Sequence, residues 1–117
     1  MINGMYIIHY VGSAGEGHAT LIFQDGMIFG FDAAGGEYDG NYVHAVSGVI
    51  EAVVAVKMPA NIASVIGNVS QPFPWTLHAA FNMPIADVRG SITVRTNLGG
   101  QTVSVDYMRI RDLPQAA

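Results

Sequence analysis

The chain has 117 residues, half of them apolar and 12% charged, which suits one domain with a sizeable core. Its formal charge of −4, with Lys57, Arg89, Arg95, Arg109 and Arg111 as the only Lys or Arg cations, excludes a nucleic-acid surface, which needs clustered positive charge. The absence of cysteine excludes a disulfide framework and thiol chemistry and fits the cytoplasm.

Nothing approaches the roughly 18 consecutive apolar residues of a membrane helix. The start, Met1 to Tyr6, carries neither a basic region nor a sustained apolar one, so no signal peptide is expected. Mean hydropathy is +0.34, and so apolar a chain is expected to expose an outer patch and to self-associate.

The first run is apolar on both faces, with Tyr6, Ile8 and Tyr10 alternating with Met5, Ile7 and His9. Gly12 to Gly17 is a turn. Then come two β-rich runs joined by Gln24-Asp25-Gly26, and an Asp-Gly pair in that setting signals a hairpin. Ala19, Leu21 and Phe23 share one face of the first run; Thr20, Ile22 and Gln24 share the other.

Asp32 to Glu37 is glycine-rich and could cradle a phosphate. It lacks the Gly-Lys-Ser/Thr ending and the following helix of that role, so it reads as a plain strand connection. A strand from about Tyr38 to Val46 turns at Ser47-Gly48 into Val49 to Val56, where Ile50, Ala52, Val54 and Val56 form one apolar face. Asn61 to Gly67 fits either a short helical turn capped by Asn61 or another brief strand.

After the bend at Pro72 and Pro74, Trp75, Leu77, Ala79 and Phe81 alternate with polar or small residues as far as Asn82-Met83-Pro84. Gly90 to Thr96 and Gln101 to Ile110 flank Asn97-Leu98-Gly99-Gly100 as a last hairpin, with Ile92, Val94, Val103, Val105 and Tyr107 inward. The count is about eight strands, an all-β antiparallel up-and-down barrel of the lipocalin-like kind, with room for one short helix. The barrel would occupy residues 1–113 as a single domain, and residues 114–117 would be a frayed tail.

No constellation of side chains points to catalysis. His9, His18, His44 and His78 lack zinc-ligand spacing, and Glu37 and Asp39 lie in a solvated turn. Serines 13, 47, 64, 70, 91 and 104 lack a nucleophile elbow. The expectation is no enzyme, no metal and no cofactor. Asp32, ending an apolar strand, is expected to accept N–H bonds from its own loop. Tyr6, Tyr10, Phe23, Trp75, Phe81 and Tyr107 are the candidates for lining a cavity, and their bulk favours a filled interior.

Gly4-Met5-Tyr6, Gly15-Glu16-Gly17, Asp25-Gly26 with Gly30-Phe31-Asp32, and Tyr38-Asp39-Gly40-Asn41-Tyr42 occur in an order that resembles the negative regulator of type III secretion, the GrlR-like family. The resemblance covers the first forty residues best and continues as strand rhythm to Leu113. It implies a dimeric lipocalin-like barrel that acts by protein–protein contact, holding a transcriptional activator inactive through an exposed acidic loop. After Tyr42 this chain reads Val43-His44-Ala45-Val46-Ser47-Gly48. The acidic run is missing, so no partner-binding residue carries over.

The expected protein is therefore a non-catalytic homodimer that engages a regulatory protein. The alternative is a carrier of a small apolar ligand.

Overall fold

The structure, a computed structural model, describes residues 3–46, 48–67 and 70–114. Eight strands follow one another: β1 (Gly4–Gly12), β2 (Gly15–Gln24), β3 (Met27–Asp32), β4 (Glu37–Val46), β5 (Val49–Met58), β6 (Trp75–Pro84), β7 (Arg89–Thr96) and β8 (Thr102–Arg111). Each pairs antiparallel with its neighbour, and β1 pairs with β8 to close the barrel. Closure leaves no strand without a partner at either edge.

The period-two pattern decides which side chains point inward. Tyr6, Ile8, Ala19, Leu21, Phe23, Ile50, Ala52, Val54, Val56, Leu77, Phe81, Val94, Val103, Val105 and Tyr107 are all buried, as the alternation predicts. The Asp25-Gly26 hairpin forms with φ of 51° and 85° at its two central residues. Positive φ at both is the two-residue turn whose twist matches the flanking strands.

Two devices let the barrel curl tightly. At Gly30 a Cβ would sit 1.9 Å from the Thr20 carbonyl oxygen, so only glycine allows β3 to approach β2 this closely. Elsewhere a tyrosine lies over the glycine opposite it: Tyr10 faces Gly17 across β1 and β2, and Tyr107 faces Gly90 across β7 and β8. The ring fills the space that a missing side chain leaves.

Two features depart from the expected barrel. No helix occurs among the described residues, and residues 61–67 are neither the helical turn nor the strand expected: turns at 61 and 65–67 flank irregular backbone at 62–64. They cap one end of the barrel. Ile66 is fully buried, Val65 accepts a hydrogen bond from the Ala14 amide (2.8 Å), and the Gly67 amide donates to Ser13 Oγ (2.9 Å). The burial of Ile66 and the two bonds to residues 13 and 14 fix this segment, and local pattern carries no record of such tertiary contacts.

The second departure is in the ladder between β6 and β7, which holds only Ala79↔Thr96 and Ala80↔Arg95, whereas the other strand pairs run through five to ten positions. Residues 81–84 and 89–94 belong to these strands without pairing in that ladder. Ser47 of the expected β4–β5 turn and Gln115 to Ala117 of the expected tail lie outside the described residues.

Candidate functional site

The buried polar residues Asp32 and Ser64 both border the capped end of the interior, and Ser64 Oγ bonds to the Ile66 backbone. Asp32, the last residue of β3, is 6% exposed. One carboxylate oxygen, Oδ1, accepts the amides of Ala34 (3.0 Å) and Gly36 (2.8 Å). The other, Oδ2, accepts the hydroxyls of Tyr38 (2.9 Å) and Tyr10 (3.3 Å). A carboxylate has about four acceptor positions, and all are used.

This arrangement answers two questions that the sequence raised. Asp32 does bind the amides of its own loop, so the N–H groups that would have to cradle a phosphate at Ala34 and Gly36 already hold the chain's own carboxylate. The saturated Asp32 has no free acceptor position with which to serve as a general base. Its work is structural: it ties β1, β3, β4 and the turn at residues 32–36 together.

Burial is the main reason that the Tyr38 hydroxyl titrates far above its ordinary value of 10.0, with Tyr10 and Asp32 adding repulsion. Tyr10 is raised by burial first and by the Asp32 charge second. Above pH about 10 the unfolded chain releases these protons while the fold retains them, so stability falls as pH rises. The loss is about 1.4 kcal/mol per pH unit for each proton retained. Urea unfolding from pH 9 to 11 should show that decline, and Tyr38→Phe should make it shallower by one proton's worth. An identical slope in both proteins would contradict the assignment.

Beneath the cap lie two small adjoining cavities of about 100 Å³ and about 80 Å³. Tyr10, Tyr38, Val56, Ala79, Val94 and Val105 border both. Of the six aromatic residues expected to line a cavity, Tyr10, Phe23, Phe81 and Tyr107 border the smaller one. Tyr6 packs in the core instead, 4.9 Å from Phe23 and 6.3 Å from Tyr107 between ring centres. Trp75 is half-buried against that core, and its indole N–H has no partner among the described residues. Asp32 and Tyr38, neither of them among those six, form the polar wall of the larger cavity with Tyr10.

The outer face has its own cluster. His9 and His18 stack at 4.7 Å, and His9 Nε2 lies 3.2 Å from Glu16 and Nδ1 3.9 Å from Asp106. His44 and His78 are exposed on β4 and β6. No group of three or more His, Cys, Asp or Glu among the described residues is placed to hold a metal ion.

Beside that cluster an apolar strip crosses the outside of β8, β1, β2 and β3. Phe31 (63% exposed) and Met27 (52%) stand out from β3, Ile7 from β1, and Met108 and Ile110 from β8. Ile7 faces Met108 directly, Met5 faces Ile22, and Ile22 faces Phe29, so the area is continuous across the strands. No model of a known protein family matches the chain, and no curated protein sequence does.

Proposed function

We propose that the protein is a non-catalytic homodimer that works by contact with another protein, the outer surface of β8–β1–β2–β3 being its pairing face. The continuous apolar area around Ile7, Phe29, Phe31 and Met108 carries this reading. Exposed apolar side chains that run on from strand to strand in this way mark an interaction surface. A second copy suits it: one patch meeting itself about a two-fold axis needs no complementary partner surface, and an apolar patch brings two molecules of charge −4 together where they repel least.

A cytoplasmic setting belongs to the same proposal. A barrel that spans a bilayer is apolar outside and polar within. Here the interior is apolar, and charged Glu51, Lys57, Arg95 and Asp106 stand exposed among the outward side chains. The resemblance to the type III secretion regulators implies the same mode of action, protein–protein contact by a dimeric barrel.

Sedimentation of the purified chain at 10 to 100 µM (on the order of ordinary working concentrations for such dimers) should show a dimer. Phe31→Glu should shift it to monomer by at least about tenfold in dissociation constant, the effect of roughly 1.4 kcal/mol, with an unchanged β-sheet spectrum. A wild-type monomer throughout that range would end the proposal.

A further inference from the structure

We propose that the barrel interior is a binding site for a small apolar molecule whose polar group is a hydrogen-bond donor, such as a phenol or a primary alkylamine. Three observations converge on it: the size and lining of the cavities, the chemistry of their polar wall, and the open stretch between β6 and β7.

The smaller cavity is apolar throughout, and the larger one is apolar but for the wall that holds Asp32, with Ser64 and Thr96 also on its border and their hydroxyls already donated to the Ile66 and Gln101 carbonyls. Neither is lined by Lys, Arg or His, so a fatty acid or any other carboxylate would find no counter-ion there and would meet Asp32 instead. Tyr10 and Tyr38 both spend their protons on Asp32. What each hydroxyl still offers is oxygen lone pairs, so the polar wall accepts and does not donate. An O–H or N–H head would satisfy it, and an ammonium would also be favoured by the carboxylate charge behind it.

Volume sets the size. A dry apolar cavity of about 150 Å³ holds benzene, and each of these is smaller, at about 80 Å³ and about 100 Å³. They adjoin where Ala79, Val94 and Val105 border both, and only together do they exceed the benzene-sized space, so a single ring or a short chain that spans the two is the upper bound.

The route in is the unpaired stretch of β6 and β7. Phe81, Met83, Ile92 and Val94, which border the smaller cavity, lie on it. Strands that share only two ladder positions separate without breaking a long run of hydrogen bonds, so a ligand can pass there while the other seams stay closed. The site is distinct from the pairing face: it uses the inward side chains of β1, β2, β3 and β8, and the pairing face uses the outward side chains of the same strands.

Calorimetric titration of the full chain tests the proposal with phenol and hexylamine against benzoate and hexanoate. The donors should bind at least tenfold more tightly than the carboxylates of matching size. Ala79→Leu, which fills the shared wall, should weaken phenol at least tenfold while the β-sheet spectrum persists; Val94→Ile fills the same wall from β7 and serves if the first variant does not fold. Phe31→Glu should bind phenol as the wild type does, and a joint loss of binding and pairing would place the ligand outside the barrel. No binding of either donor at millimolar concentration, equal binding of the carboxylates, or wild-type affinity in the filled variants would overturn the assignment.

Discussion

Replacing Asp32 by alanine is expected to lower the free energy of unfolding by about 3–5 kcal/mol, a third or more of what a domain of this size has to lose. The substitution deletes four accepted hydrogen bonds at once. Bonds to a charged acceptor contribute about 1.5–3 kcal/mol each when they are isolated, and these four share one group and are not additive. The larger cost lies in what remains. The Tyr10 and Tyr38 hydroxyls would keep only each other beside an apolar cavity, and the buried Gly36 amide would lose its partner at the penalty of an unsatisfied buried donor, while the exposed Ala34 amide would turn to water.

Asp32→Asn separates charge from geometry. Its remaining oxygen can keep both loop amides, and its NH2 can donate to the tyrosine oxygens once the hydroxyls rotate, so the expected loss is about 1–2 kcal/mol. Urea titrations of the two variants would decide the matter. If alanine cost no more than asparagine, the bonds to Asp32 would not be holding β1, β3 and β4 together.

Half of that polar cluster could be read from the sequence and half could not. An aspartate that ends a strand before a glycine-rich turn is placed by local geometry to bind amides two and four residues on, and it does. Its tyrosine partners are another matter. Tyr10 lies 22 residues before Asp32, and the two meet only because barrel closure sets the relative stagger of β1, β2 and β3, which period-two reading leaves free.

A usable signal was nevertheless present. Tyr10 and Gly17 stand at equal distances from the turn at residues 13–14, as Gly90 and Tyr107 do about residues 97–100. A tyrosine mirrored by a glycine across a hairpin marks a ring folded over an inward gap. Ile66 gave no such sign, because Ser64-Val65-Ile66-Gly67 has no periodicity and its burial depends wholly on the barrel mouth. The parting of β6 from β7 was equally invisible. Phe81 and Val94 alternate in the same way as residues of fully paired strands, and no side-chain pattern reports which backbone groups find partners.

That parting leads to the second large effect, which falls unequally on two phenylalanines that the sequence treats alike. Phe23→Ala should cost about 3–5 kcal/mol, the upper range for a buried aromatic. Phe23 is 1% exposed, 4.9 Å from Tyr6 and 5.6 Å from Tyr42 between ring centres, so the substitution also breaks two aromatic contacts. Its strand, β2, is laddered to β1 over nine positions and to β3 over six, and strands held on both sides cannot move in to fill the gap.

Phe81 borders the same cavity, but it sits where β6 has left β7, with one flank free to settle inward. The cost of a cavity depends on how far its walls can collapse, so Phe81→Ala should cost at least about 1 kcal/mol less than Phe23→Ala. Equal losses in paired denaturation experiments would mean that the β6–β7 gap is as rigid as a complete ladder, and the proposed route into the barrel would close with it.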